Sequence, residues 1–160
     1  MRRSVICWLI GLGVVLGAVR AESAPSETLM GAWAVDTSRL PMPPAARPRS
    51  VTLTFAQADA QQLRLRVEVV DPAGARLEAE GVTPLDGTPT AVKANFEADM
   101  SATTMPRPEV LIMQLAKNGA PASTRIYTVE PGGQTMVETV AHFTADGRPV
   151  VRKNYFSRLP

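Results

Sequence analysis

Apolar and polar residues alternate with a period of two along most of this chain. Successive side chains of a β-strand point to opposite faces of the sheet, so this alternation predicts strands with one buried face. Ten strands are predicted, over residues 30–36, 50–57, 62–70, 75–83, 89–94, 98–104, 109–117, 122–130, 134–144 and 149–158. Many short strands in one domain, most of them joined by short turns, predict an all-β fold, either an up-and-down barrel or a sandwich.

One connection is longer than the others and contains four prolines. It reads PMPPAARP and covers residues 41–48. Proline lacks a backbone N–H and has a fixed φ, so this stretch excludes a regular helix and predicts a loop of polyproline II type.

The short turns predict the register between strands. VDPAGA suits a type I turn with a glycine bulge, and KNGA suits a two-residue hairpin turn. The residues predicted to pair across the four clearest turns are Asp71 with Ala75, Lys117 with Ala120, Glu130 with Gln134, and Thr144 with Arg148. A slip of one residue at any turn would exchange the two faces of the following strand.

This register assigns the side chains of the last four strands to an inward and an outward face. The inward face is predicted to contain Leu111, Met113, Leu115, Ile126, Met136, Glu138, Val140, His142, Val150, Arg152, Asn154, Phe156 and Arg158. The outward face is predicted to carry Val110, Ile112, Tyr127, Val129, Val137, Phe143, Val151 and Tyr155. Polar groups inside and an apolar stripe outside both require a physical reason.

The hairpin of residues 62–70 and 75–83 has one charged face. Apolar side chains alternate there with Arg64, Arg66, Glu68, Arg76, Glu78 and Glu80. A face with this many charges is predicted to be solvated rather than to perform acid–base chemistry.

Residues 1–21 have the pattern of a secretory signal peptide. Arg2 and Arg3 precede an apolar run over residues 5–19, and Val19-Arg20-Ala21 provides a cleavage site. Fifteen apolar residues are few for a membrane span, although an uncleaved anchor is the alternative. The sequence therefore predicts a periplasmic or secreted protein with no integral membrane span after cleavage. Residues 22–28 would form a polar lead and residues 29–160 one domain.

Removal of that segment changes the charge and cysteine content. Taking Arg2, Arg3 and Arg20 from the 17 Lys and Arg leaves 14 basic against 15 acidic residues, a net charge of −1. A nucleic-acid partner thereby loses its electrostatic basis. The only cysteine, Cys7, is also removed, so the remaining chain has no disulfide and no thiolate chemistry.

The candidate catalytic residues are few, and the sequence predicts a protein that is not an enzyme. His142 is the only histidine, and no zinc-type spacing, nucleophile elbow or phosphate-binding loop occurs. Glu138 and His142 are four residues apart on one strand, about 13 Å, which is too far to share a proton. No metal and no cofactor is predicted. His142 is interpreted as a structural side chain, either with its hydrogen bonds satisfied inside the protein or at the rim of the barrel.

The triplet Gly31-Ala32-Trp33 on the first predicted strand resembles the G-x-W signature of the calycin superfamily. That superfamily includes the lipocalins and the fatty-acid-binding proteins. The resemblance implies a single antiparallel up-and-down barrel of about 8–10 strands. It also implies that Trp33 closes one end of the barrel and that a basic residue of the last strand, here Arg158, packs over it.

A closer resemblance covers nearly all of residues 29–160. Bacterial secreted lipocalin-like proteins share an opening like GAWAVDTSRL, then a Pro-rich loop, a strand like RSVTLTF and an ending like YTVEPGGQTMVETV followed by ADGRPV. The chain departs from that group at Glu138 and Arg152, where apolar or neutral residues are more common. Its Pro-rich loop stands in place of the helical lid of intracellular fatty-acid-binding proteins.

Two functional hypotheses follow. In the first, the lumen binds a small apolar or amphipathic molecule, with Arg152 holding an anionic group, Asn154 adding hydrogen bonds, and Glu138, Met113, Leu115 and Phe156 lining the site. The alternative inside the barrel is a solid core with an internal Glu138–Arg152 pair. In the second hypothesis, the outward stripe that includes Val110, Ile112, Tyr127, Val137, Phe143 and Tyr155 forms a homodimer or docks on an envelope protein.

Overall fold

The computed structural model describes residues 28–93 and 97–160. These residues form ten antiparallel strands in one sheet, curled into a nearly closed barrel. The strands are β1 (Gly31–Val35), β2 (Ser50–Asp59), β3 (Gln62–Val70), β4 (Arg76–Pro84), β5 (Thr90–Ala91), β6 (Met100–Arg107), β7 (Val110–Lys117), β8 (Ala120–Val129), β9 (Thr135–Phe143) and β10 (Pro149–Arg158). Each coincides with a predicted strand, which confirms the all-β barrel, although β5 is only two residues long.

The predicted signal peptide over residues 1–21 and most of the polar lead over residues 22–28 lie outside the described residues. Within the described ranges, no helix has the length and apolar character needed to cross a membrane.

Strands that follow one another along the chain pair with each other, except β4 and β5, and β1 also pairs with β10. The two edges of the sheet are β4 and β5, so the barrel has a seam between β4 and the β5–β6 hairpin. Thr83 of β4 bridges this seam, because its hydroxyl lies 3.3 Å from Thr103 Oγ1 and 3.4 Å from Thr90 Oγ1. The Gly87 N–H also donates to the Thr103 carbonyl at 2.9 Å, and together these contacts join the seam at one end of the barrel.

Trp33 closes that same end. Its side chain is fully buried and its indole Nε1 donates to the Leu29 carbonyl at 2.9 Å. The guanidinium of Arg158 lies 4.1 Å above the ring and donates to the carbonyls of Thr28, Met30 and Gly133. The packing of Arg158 over Trp33 that the resemblance implied is therefore present.

Gly31 makes this arrangement sterically accessible. Its φ is +120°, and a Cβ at this position would lie 2.8 Å from Arg158 Nη1. A side chain here would both strain the backbone and displace the guanidinium from the Trp33 ring.

The opposite end of the barrel is open and is surrounded by turns and the Pro-rich loop. That loop contains no regular helix, as predicted, but the polyproline II expectation is wrong for Pro44–Ala46, which form a 3-10 turn. A second 3-10 turn, Thr37–Arg39, precedes the loop. Arg39 of this turn stacks on Tyr155 of β10, with its guanidinium 3.3 Å from the ring centroid.

Three of the four predicted turn registers are confirmed, namely those of the turns that pair Asp71 with Ala75, Lys117 with Ala120, and Thr144 with Arg148. The fourth is wrong, because the Glu130 N–H donates to the Thr135 carbonyl rather than pairing with Gln134. The turn is one residue longer than predicted because Gly132 and Gly133 both adopt positive φ, +88° and +69°.

A second register error lies in the β7–β8 hairpin. A β-bulge at Leu115 and Ala116 shifts the pairing by one residue, so Leu111 faces Tyr127 instead of Ile126. The predicted inward position of Ile126 and outward positions of Tyr127 and Val129 are therefore wrong. Because the longer turn after β8 shifts the register back, the two errors cancel, and the inward and outward faces of β9 and β10 are as predicted.

Candidate functional site

A cavity of about 840 Å³ occupies the barrel above the Trp33 end. One side of it is aliphatic. The side chains that form this side come mainly from β2, β3 and β4, and they are Val51, Leu53, Leu65, Val67, Val69 and Leu77. Two expected lining residues of β7, Met113 and Leu115, border the cavity as well. The lumen is therefore hollow rather than solidly packed.

The facing side of the cavity, on β8, β9 and β10, is polar. Its polar side chains are Arg125, Tyr127, Glu138, Arg152 and Asn154, with Phe156 below them. Their strands are adjacent, and cross-strand pairing places Tyr127 opposite Glu138 and Glu138 opposite Asn154. The cavity is thus amphipathic from one side to the other.

Glu138 is the centre of this polar side. Its side chain is 3% exposed and accepts hydrogen bonds from Arg125 Nη1 at 2.8 Å and Asn154 Nδ2 at 2.6 Å. The predicted neighbourhood of Glu138 and Asn154 is confirmed. The alternative of an internal Glu138–Arg152 pair is wrong, because the ion pair of Glu138 is with Arg125.

Arg125 is surrounded by acidic groups. Burial works against its charge, but the carboxylates of Glu138 and Glu97 outweigh that effect and hold the pKa of the guanidinium above its ordinary value. Burial, and then the charge of Glu138, raise the pKa of the Tyr127 phenol far above its usual range. Tyr127 therefore keeps its proton as a donor, and Arg125 keeps a charge that Glu138 and Glu97 compensate.

Arg152 has a different environment. It is half-buried against the cavity, and its Nη1 donates to Asn154 Oδ1 at 3.5 Å. Among the described residues no carboxylate lies within ion-pair distance of it, in contrast to Arg125. Arg152 can therefore pair with an anion that enters the lumen without first breaking an internal ion pair.

Arg125 and Tyr127 are lumen residues that were not predicted from the sequence. Tyr127 was assigned to the outward face by the one-residue error at the β7–β8 hairpin, and Arg125, two residues before it on the same side of β8, was not identified. Pro121, just after the Asn-Gly turn, was the sequence signal for this bulge, since a proline this close to a hairpin marks a bulge or an edge.

His142 is half-buried on the inward side of β9 but is not part of the cavity lining. No cluster of three or more metal-ligating acidic, histidine or cysteine side chains occurs in the described part of the chain.

The predicted outward stripe is only partly present. Tyr127 and Val129 are removed from it by the register correction, and Val110 is 8% exposed. Ile112, Val137 and Tyr155 face outward and are half-buried. Phe143 and Val151 are 70% and 67% exposed, the largest values among the big apolar residues of the described barrel.

Comparison with protein-family models and with the sequences of curated proteins finds no match. Solved structures nevertheless share the fold. Wild-type fluorescent protein UnaG aligns with a TM-score of 0.55 at 16% identity, over 82% of this chain and 97% of its own. A Schistosoma mansoni fatty-acid-binding protein, solved in complex with arachidonic acid, aligns with a TM-score of 0.55 at 18% identity, over 86% and 99%. Fatty-acid-binding protein 1 of Echinococcus granulosus gives 0.52 at 15% identity, over 84% and 100%.

These neighbours belong to the calycin superfamily, and their identities to this chain are too low to show more than architecture. The protein has the fold of the fatty-acid-binding proteins, with ten antiparallel strands in a nearly closed barrel.

Proposed function

We propose that this protein binds a small amphipathic molecule with an anionic group in the lumen of its barrel. The observation that supports this most strongly is the cavity of about 840 Å³ with an aliphatic side facing Arg152 and Asn154. Ligand sites of this kind are mostly apolar with a few polar groups that fix orientation. The proposal is for a binding protein and includes no catalytic step.

In this proposal the anionic group lies against Arg152 and receives a hydrogen bond from Asn154. The apolar part lies along the aliphatic side formed by β2, β3 and β4, where each Å² removed from water contributes about 25 cal/mol. Arg125 stays paired with Glu138 and positions Asn154 through the shared carboxylate. The arachidonic acid held by the Schistosoma mansoni protein is an amphipathic carboxylic acid, which is in keeping with a ligand of this class.

The Arg152→Met variant tests the proposed anion site. Loss of a charged hydrogen-bonding group costs about 1.5–3 kcal/mol, so a long-chain fatty acid is expected to bind about 10- to 150-fold more weakly. Its uncharged methyl ester is expected to bind both proteins equally. Titration calorimetry with both probes measures this difference.

Lys153→Met is the matched control, because Lys153 is the next residue of β10 and points away from the lumen. It should leave the affinity for the acid unchanged. Equal binding of acid and ester by the unaltered protein would contradict the role of Arg152. Failure of both probes to bind would contradict a lumenal site for this class of ligand.

We further propose that the protein acts outside the cytoplasm, in the periplasm or after secretion. The support is the sequence pattern of residues 1–21. Sequencing the amino terminus of protein recovered from the periplasmic or culture fraction is expected to begin at Glu22. Recovery of a chain that retains residues 1–21 in the cytoplasmic fraction would contradict this location.

A further inference from the structure

The two halves of the barrel's outer surface differ sharply in charge. On β3 and β4 the outward positions carry Arg64, Arg66, Glu68, Arg76, Glu78 and Glu80, joined by ion pairs such as Arg66–Glu78 at 3.2 Å. On β7, β8, β9 and β10 the outward positions carry a single charged side chain, Lys153. We call this second surface the β7–β10 outer face.

Two large apolar side chains of the β7–β10 outer face are strongly exposed. Phe143 is 70% and Val151 67% exposed, and they lie on adjacent strands, since Phe143 pairs with Pro149 and Val151 with Ala141. An exposed aromatic residue in a surface with few charges is the composition found at the centre of protein interfaces. On the side nearest β1, Arg39 stacks on Tyr155 and forms the border of the β7–β10 outer face.

The area of the β7–β10 outer face matches what a dimer requires. Four strands spaced about 4.8 Å apart, each with about eight residues rising 3.3 Å, cover about 500 Å². Two such faces in contact bury about 1,000 Å² in total, which is the lower bound for a specific interface. From this area and from the single charge that the surface carries, we propose that two copies of this chain pair through their β7–β10 outer faces.

The β7–β10 outer face fits a dimer whose two-fold axis runs parallel to β9 and lies between the two contacting sheets. It places each Phe143 against Phe143 of the second copy and exchanges β8 with β10. Cross-strand pairing aligns both Ile126 and Lys153 with Thr139, so each Lys153 then lies over Ile126 of the second copy. An axis perpendicular to the strands at the level of Thr139 would instead bring the two Lys153 ammonium groups together, which like-charge repulsion disfavours. The open ends of both barrels consequently point in the same direction.

Sedimentation equilibrium of the protein and of the Phe143→Glu and Val151→Glu variants tests this pairing. The unaltered protein is expected to be a dimer, and either variant to raise the dimer dissociation constant by at least about 30-fold, the loss expected when a side chain that contributes strongly to an interface is replaced. Val82→Glu is the matched control, because Val82 is 41% exposed but lies on the charged outer surface of β4. Far-UV circular dichroism verifies that each variant is folded.

A monomeric unaltered protein at about 100 µM, well above the dissociation constants of specific complexes, would overturn the proposal. A dimer that survives Phe143→Glu, or one that Val82→Glu disrupts equally, would also overturn it.

The orientation of the two copies is tested separately by cross-linking. Stacked sheets lie about 10 Å apart, which is too far for a direct disulfide. In a Cys7→Ser background, Phe143→Cys is therefore expected to give a dimer that a short bismaleimide reagent cross-links through the two thiols, and a dimer that does not cross-link would overturn the axis along β9.

Discussion

Replacement of Trp33 by alanine is expected to lower the free energy of unfolding by about 3–5 kcal/mol, the range for truncating a large buried side chain. Trp33 is fully buried, so its removal leaves a cavity at the closed end of the barrel. The guanidinium of Arg158 would lose the ring on which it lies, and the Leu29 carbonyl would lose the indole donor. Urea unfolding followed by far-UV circular dichroism measures the change.

Trp33→Phe is the control for this prediction. It retains an aromatic ring under Arg158 but removes the hydrogen bond to Leu29, which is worth about 0.5–1.5 kcal/mol. Its loss of stability is therefore expected to be clearly smaller than that of the alanine variant. If the Trp33→Ala variant were as stable as the Trp33→Phe variant, the aromatic side chain at position 33 would not be what closes this end of the barrel.

Removal of Arg125 is expected to have the second large effect. Arg125→Met leaves the carboxylate of Glu138 buried without its ion-pair partner, and breaking a buried pair on one side costs about 3–5 kcal/mol. Asn154 Nδ2 still donates to this carboxylate but does not compensate its charge. Thermal and urea unfolding at neutral pH measure the loss.

Two further variants distinguish the stability lost by leaving the Glu138 charge unpaired from the stability that the Arg125–Glu138 ion pair itself contributes. The double variant Arg125→Met, Glu138→Leu is expected to recover much of the stability, since replacing a buried pair by apolar residues is often neutral or stabilising. Arg64→Met breaks the exposed Arg64–Glu80 pair and is expected to cost at most about 1 kcal/mol. A double variant as unstable as Arg125→Met alone would show that the guanidinium contributes mainly by packing.

The fold could be predicted from sequence because the strands of this barrel have a regular period and clear turns. Each predicted strand matches an observed one, and the Asp71 and Thr144 turns gave correct registers because their glycines occupy the positions that those turn types require. The resemblance of the Gly31–Trp33 triplet to the calycin signature implied that Trp33 closes one end of the barrel. These features depend on local sequence, and the alternation of buried and exposed residues extends them along each strand.

The composition of the lumen was harder to predict, because a single β-bulge exchanges the two faces of a strand. The bulge at Leu115 and Ala116 is the reason that Tyr127 was assigned to the outside and that Arg125 was not identified as the ion-pair partner of Glu138. Whether the barrel is hollow depends on how far side chains from opposite strands reach across it. Alternation along each strand carries no information about that distance.

The pairing of β1 with β10 has a consequence for the order of folding. Arg158 donates to the Met30 carbonyl across 128 residues of chain, and the other contacts of Arg158 with β1 are comparably distant in sequence. A contact of such long range forms late and slowly, because the chain must first lose the entropy of closing a very large loop. During synthesis, Trp33 emerges early but cannot be covered by the guanidinium of Arg158 until the last strand has been made. Every partially made chain therefore lacks the side chain that lies over this tryptophan, and the barrel becomes closed at that end only when β10 docks.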